Sequence, residues 1–288
     1  PHALWQAQGN QAERPPRRLR ALAHREHRPR WLDRASIDRQ VKQTMRIATW
    51  NLNTWINRKN GIDNSTLWNW ADDNLAADLV IFTEAATPPP QAIVHAQGWN
   101  VAHRPGGFPN RSNWGTLIAG RNMRVEHLTH VGKKKYELDT KFPGSLTAAD
   151  VWVDDEYFAC VVGLYLPYRK DANKDFIEHP TLDLAEMKKD CKNLLSHSGG
   201  RLIVAGDLND MHSCIPWPLD TLGLVDPFED HQHVTFRQDW DHDGTYRMDY
   251  IYLSPELADR ITAFSGGIDD FPDSMNVSDH APLLLELK

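Results

Sequence analysis

The residues able to do chemistry in this chain sit where apolar runs stop. Ser278-Asp279-His280 precedes the run Ala281-Pro282-Leu283-Leu284-Leu285. An Asp-His pair that opens a strand is held rigidly at the rim of a sheet. Arg247-Met248-Asp249-Tyr250-Ile251 sets a carboxylate among apolar and aromatic neighbours. A buried acid needs a compensating partner. His280 is the best candidate, because a carboxylate on one ring nitrogen fixes the tautomer and supports the imidazolium. Asp279 is expected on the opposite face or the loop edge, adding to a metal or water shell.

Three more runs end the same way. In Leu202-Ile203-Val204-Ala205-Gly206-Asp207-Leu208-Asn209, Gly206 permits close backbone approach and Asp207 and Asn209 share a face of an extended chain. A carboxylate and an amide there could deprotonate a water and hold a phosphate. The structural alternative is an ordinary strand-to-turn Gly-Asp-x-Asn. In Ile47 to Asn53, Asn51 and Asn53 are likewise expected on one face, able to orient a phosphate oxygen or a metal-bound water; the alternative is a turn asparagine. Glu84 directly follows Asp78-Leu79-Val80-Ile81-Phe82-Thr83. Mg²⁺ with oxygen ligands would compensate a carboxylate at that sheet edge. The alternative is a solvated Glu opening a loop.

Short apolar strands must position these groups. The pattern predicts strands over Arg46–Leu52, Asp78–Thr83, Trp114–Ala119, Ala149–Trp152, Phe158–Leu166, Arg201–Ala205, Met248–Leu253 and Pro282–Leu287. It predicts helices over Ser65–Leu75, with Ser65 as N-cap, and Leu182–Leu195, ended by Gly199-Gly200. Asp171–His179 reads as a loop. Strand-rich halves with few helices suggest two packed sheets flanked by helices.

Composition bounds the rest. The chain has 288 residues and 41% hydrophobic residues, enough for a real core. No apolar run approaches the roughly 18 residues that span a bilayer, so a cytoplasmic protein with no membrane partner is expected. Cys160, Cys191 and Cys214 are widely spaced and read as reduced packing residues. Residues 1–44 hold 10 Lys+Arg and 4 Asp+Glu, and the remainder holds 22 and 35, so +6 faces −13. Residues 1–44 are read as a basic, disordered leader, with Met45 as a candidate natural start and a short helix around Trp31–Thr44 as an option. The alternative is a basic arm that touches nucleic acid. The acidic remainder argues against broad non-specific nucleic-acid binding, although a divalent metal and a few local cations suffice for a phosphate being cut.

Taken in order, TWNLN, FTEA, WGTLIAG, GLYLPY, GDLND, RMDYIYLS and SDHAP resemble the motifs of the endonuclease/exonuclease/phosphatase superfamily. That superfamily includes exonuclease III-like repair nucleases, pancreatic-type DNases, sphingomyelinases and inositol-polyphosphate 5-phosphatases. The resemblance runs from about Arg46 to Lys288, so the domain is set at residues 45–288. It implies an α/β (α+β), DNase I-like fold: a four-layer α/β/β/α sandwich of two packed mixed sheets with helices outside. It also implies Mg²⁺- or Mn²⁺-dependent hydrolysis of phosphoester bonds. Glu84 would be the main metal ligand, with Asn51 nearby and Asp279 in the metal shell. Asp207 would activate water, Asn209 would hold a phosphate oxygen, and Asp249 with His280 would form a dyad on the phosphate. Tyr165 stands where repair nucleases of the family have Tyr and other branches have His, and its phenol would donate to a phosphate oxygen. Asn53, Tyr246 and Arg247 are assigned to substrate. Tyr246 stands where repair nucleases carry a larger aromatic, and Asn53 where some carry Asp.

The favoured reading is a metal-dependent nuclease acting on DNA or RNA. The alternative is a phosphatase or phosphodiesterase for a phospholipid, inositol phosphate or small metabolite. A catalytically dead scaffold is the third option, and it has no need of six retained polar groups. Lys133-Lys134-Lys135 reads as a solvated loop or a backbone contact, and His231 with His233 as a faint zinc signal. Trp55, Trp68 and Trp70 read as core or as stacking rings.

Overall fold

The computed structural model describes residues 44–104, 114–132, 136–138, 144–166, 169–170, 176–177, 181–209, 219–231, 233–237 and 246–288. The leader, the option of a helix at Trp31–Thr44, Lys133-Lys134-Lys135, Cys214 and most of Asp171–His179 lie outside these residues.

Two sheets carry the domain. The strands, in chain order, are β1 (Met45–Asn51), β2 (Leu79–Ala86), β3 (Trp99–His103), β4 (Trp114–Arg121), β5 (Arg124–Leu128), β6 (Leu146–Val153), β7 (Glu156–Tyr165), β8 (Leu202–Asp207), β9 (Asp249–Leu253), β10 (Ile261–Gly266) and β11 (Leu283–Leu287). The first sheet has the order β10-β11-β1-β2-β4-β3 and the second β9-β8-β7-β6-β5. Each is mixed: β1 and β2 are parallel in the first, β7 and β8 in the second, and the other pairs are antiparallel. The parallel pairs need long crossovers, which helices supply. Helices α1 (Thr54–Lys59) and α2 (Asn64–Leu75) join β1 to β2; α3 (Gln91–Ala96) precedes β3; α4 (Thr181–His197) joins β7 to β8.

Side-chain alternation along the strands builds the layers. Ile47, Leu79, Ile81, Ile118 and Leu285 of the first sheet face Ala149, Val161, Ile203, Ala205 and Ile251 of the second. The alternate residues point outward. Trp50, Val80, Phe82 and Leu117 meet Leu67, Trp68 and Leu75 of α2. Cys160, Val162, Leu164 and Val204 meet Met187, Cys191 and Leu194 of α4. The result is the four-layer α/β/β/α sandwich. Trp68 and Trp70 belong to it, their rings 4.9 Å from Phe82 and 4.6 Å from Trp50. Cys160 and Cys191 are buried packing residues.

Two expectations are corrected. Asp63, not Ser65, caps α2, its carboxylate accepting from the Thr66 N–H at 2.8 Å. The strands β3, β5 and β10 carried too little apolar signal: each is a sheet edge, β5 and β10 are exposed over at least half their length, and β3 sets Asn100 and His103 among its apolar residues.

Two glycines set how closely the strands approach. A Cβ on Gly163 of β7 would lie 2.3 Å from Thr116 Cγ2 and 3.0 Å from Ile81 Cγ2, both in the opposite sheet. A Cβ on Gly206 (φ +145) would lie 1.9 Å from the Leu164 carbonyl oxygen of the adjacent strand. Gly163→Ala should therefore cost about 1–3 kcal/mol through overpacking, read as a lower urea midpoint. An unchanged midpoint would show that the sheets can separate freely at this point.

Candidate active site

The polar residues at the strand ends converge on one end of the sandwich. Antiparallel register places Asp207, the last residue of β8, opposite Asp249, the first of β9. Both carboxylates are buried. His280, from the loop before β11 in the other sheet, enters between them. Its Nδ1 lies 2.8 Å from Asp249 Oδ2 and its Nε2 3.9 Å from Asp207 Oδ2. Burial alone would depress the imidazole. The charge and hydrogen bond of Asp249, with the charges of Asp207 and Asp279, outweigh it, and the pKa is pushed up to about 10. Asp207 is pushed well above the usual carboxylate range, by burial first and by the charges of Asp249 and Glu84, against the opposing charge of His280. The site thus pairs a protonated imidazole with a carboxylate that readily takes up a proton.

The chain around His280 is tied to β1. Ser278 Oγ donates to the Asn51 carbonyl at 2.7 Å and accepts from the His280 N–H at 3.2 Å. Trp50 Nε1 donates to the His280 carbonyl at 2.8 Å. Asn51, at the end of β1, donates through Nδ2 to Asp207 Oδ2 at 2.7 Å, and that nitrogen is 3.5 Å from His280 Nε2. Its Oδ1 accepts from the Asn53 N–H at 2.8 Å.

Glu84 occupies a bulge in β2, with φ 46. The bulge turns its side chain toward the second sheet, where Tyr165 OH donates to Oε1 at 2.8 Å. Tyr165 ends β7 and pairs in register with Asp207. Trp114 packs edge-on against the Tyr165 ring at 4.6 Å. Asn209, in a left-handed turn (φ 50), donates through Nδ2 to the Leu166 carbonyl at 2.7 Å and to Asp207 Oδ2 at 3.2 Å. It stays beside Asp207 through that turn, and not through a continued strand.

Three assignments change. Asn53 does not share a face with Asn51, because β1 ends at Asn51. It adopts φ 41 and caps α1, accepting from the Ile56 N–H. Arg247 turns away from the carboxylates: its Nη2 is 2.7 Å from Asp226 Oδ1, its Nη1 donates to the Phe228 carbonyl, and it stacks 4.3 Å from the Tyr250 ring. A half-buried guanidinium with those partners is a structural tie. His231 and His233 pack with Phe264 (rings 4.6 and 6.3 Å apart), His233 Nδ1 is bonded to the Gly266 carbonyl, and no third metal-binding side chain joins them among the described residues.

Asp279 flanks His280. Its carbonyl accepts from the Arg237 N–H, and its buried Oδ1 has no partner among the described residues. Tyr246 is half-buried and bridges to Phe236, whose ring lies 4.9 Å from His280. Phe236 and Thr235 went unread in the sequence. Thr235 Oγ1 accepts from the Met248 and Asp249 N–H groups and anchors the start of β9. A lone Thr-Phe after a loop carries no signal for either role.

Among the described residues, no three His, Cys, Asp or Glu side chains form a ready-made ion cage. The donor set nonetheless suits a hard divalent cation. Asp249 and Glu84 both act on Asp207 as like charges, Asp249 Oδ1 is buried without a partner among the described residues, and the candidate ligands are oxygens. Mg²⁺ commonly takes one or two carboxylates and completes its shell with water and substrate phosphate. Glu84, half-exposed at its bulge, and Asn51 could supply the protein share.

No family model and no curated protein sequence matches this chain. Solved structures do. An AP endonuclease from Archaeoglobus fulgidus is 21% identical at TM-score 0.60, over 84% of this chain and 98% of that one. The 3′ phosphatase NExo from Neisseria, bound to a product DNA hairpin, is 19% identical at TM-score 0.62, over 85% and 99%. The endonuclease domain of TRAS1, a telomere-specific non-LTR retrotransposon, is 14% identical at TM-score 0.56, over 85% and 98%. These neighbours are of the endonuclease/exonuclease/phosphatase superfamily, and the chain has their DNase I-like fold.

The Asp249–His280 pair fixes a pH signature. His280 is protonated below about pH 10 and loses its charge above it. Because its folded value lies above the ordinary 6.5, the stabilising bridge is complete below about pH 6.5 and is lost as pH rises through about 10. Asp249→Asn removes the main raising influence, so His280 should titrate well below 10 in imidazole NMR spectra. An unmoved titration would overturn the assignment.

Proposed function

We propose that this chain is a divalent-metal-dependent phosphodiesterase whose substrate is nucleic acid. The observation that carries this reading is the buried Asp249–His280–Asp207 arrangement, joined by Asn51 and faced by the Glu84–Tyr165 pair. The likeness of its fold to nucleases and phosphatases that act on DNA supports it.

The roles follow from charge and position. A divalent cation held at Glu84 and Asn51 would neutralise phosphate charge and polarise the scissile bond. Asp207 is suited to accept a proton from the attacking water, because burial raises its affinity for protons above that of an ordinary carboxylate. Asn51 and Asn209 hold that carboxylate from two sides. His280, kept cationic by Asp249, is placed to hydrogen-bond a phosphoryl oxygen and to stabilise charge that builds on it. Tyr165 directs its phenol to Glu84 and can turn that donor to a phosphate oxygen.

Glu84→Gln should lower Mg²⁺-dependent cleavage of an oligonucleotide by about a hundredfold or more, with an unchanged circular dichroism spectrum. EDTA should abolish cleavage by the parent protein, and Mg²⁺ or Mn²⁺ should restore it. Full activity of the variant would sink the role of Glu84. Asp249→Asn, His280→Ala and the double variant should lose similar activity, because the two residues act as one unit. Additive losses in kcat would show that they act separately.

A further inference from the structure

Helix α1 is amphipathic in reverse. Its polar Thr54 and Asn57 are 7% and 5% exposed, while Trp55 and Ile56 are 44% and 47% exposed. The inversion has a local cause. Thr54 Oγ1 donates to the Glu84 carbonyl, and Asn57 Nδ2 donates to the carbonyls of Leu52 and Val277. These bonds clamp α1 to the Glu84 bulge on one side and to the segment leading into Ser278-Asp279-His280 on the other. The polar residues face inward because the active-site rim supplies main-chain acceptors. Trp55 and Ile56 are left on the outside.

An exposed pair of large apolar side chains is informative where a single one is not. Here it carries charge of one sign. Arg58 and Lys59 are exposed in the last turn of α1, and Lys59 Nζ lies 5.1 Å from the centre of the Trp55 ring. From Asn51 to Ile62 there is no Asp or Glu, although the chain as a whole carries a net −7. The exposed face of α1 beside the candidate active site thus joins an aromatic ring, an aliphatic side chain and two basic groups, in a chain of net negative charge.

Such a surface selects a partner with a flat apolar face and regularly spaced negative charge. A second copy of this chain fits poorly, since a two-fold contact would set Arg58 and Lys59 against themselves. A membrane fits poorly too, because α1 has six residues and an interfacial helix needs a longer apolar face. Nucleic acid fits both demands: bases stack on an indole whatever their sequence, and phosphates meet the cations.

We propose that α1 is a docking platform for a single-stranded stretch of polynucleotide, with a base stacked on Trp55 and phosphates drawn to Arg58 and Lys59. This rests on the reading of the active site as acting on nucleic acid, and it specifies an unpaired strand as what that site receives. A base in a closed duplex has no free face to give Trp55.

The test uses the full chain. Binding of a fluorescein-labelled oligodeoxythymidine, its oligouridine counterpart and a blunt duplex is followed by anisotropy in EDTA, which prevents cleavage. Bis(p-nitrophenyl) phosphate hydrolysis with Mg²⁺ reports on the reaction centre. Trp55→Ala should weaken single-strand binding about tenfold, while duplex binding and reporter hydrolysis stay within twofold. Arg58→Ala and Lys59→Ala should each reduce the slope of log Kd against log salt by about 0.7. Relative affinities for the two single strands decide between DNA and RNA. Unchanged single-strand binding in Trp55→Ala overturns the platform alone. A parent protein that hydrolyses the reporter but neither binds nor cleaves any polynucleotide overturns the nucleic-acid reading as well.

Discussion

The site depends on one imidazole placed between two carboxylates. The register of β8 and β9 forces Asp207 and Asp249 to face each other, and both are buried. Like charges so placed repel, and removal from water adds to the cost. From the second sheet, Asn209 donates to Asp207 through its backbone N–H and its Nδ2. His280 comes from the loop before β11, in the first sheet, and brings a positive charge with one nitrogen on Asp249 and the other toward Asp207. The pair therefore joins the sheets as well as the charges. If His280 were absent, an apolar core would end in two uncompensated acids.

Two other polar contacts at this end also cross between the sheets. Asn51 of β1 reaches Asp207 of β8, and Tyr165 of β7 reaches Glu84 of β2. These contacts require close approach of the layers, which Gly163 permits one turn of the pleat before Tyr165. They also require Glu84 to leave the regular alternation of its strand, which the bulge achieves. Packing in the middle of the sandwich and chemistry at its end are thus linked. Close-packed interior residues fix the sheet separation, and that separation sets whether the side chains at the end can meet.

Parts of this were legible in the sequence for physical reasons. Strands buried on both faces, such as β2 and β8, read as continuous apolar runs because nothing polar can be tolerated there. Polar residues at their ends stood out by contrast, which is why Glu84, Asp207, Asp249 and His280 were recoverable. The pairing of Asp249 with His280 followed from the need of a buried acid for a partner. Edge strands β3, β5 and β10 were not legible, since an edge tolerates polar residues such as Asn100 and His103 of β3 and the exposed residues of β5 and β10. Arg247 misled because an arginine beside an active-site acid looks like a ligand-binding group. Asp226, distant in sequence, is what holds it.

The sequence by itself determined the alternation that makes two sheets, the chemical types at the strand ends and the acidic balance of the domain. These follow from local rules, namely period, burial and charge. Apart from the Asp249–His280 pair, only the tertiary structure decided which of those ends meet. Asn51 and Asn53 are two residues apart, yet β1 stops between them, sending one to Asp207 and the other to cap α1. Trp55 and Trp68 are equally aromatic, yet hydrogen bonds from Thr54 and Asn57 turn the first outward while the core encloses the second. Contacts between residues far apart in the chain leave no periodic trace in it, so their outcome is set by the sheet register and packing that bring them together.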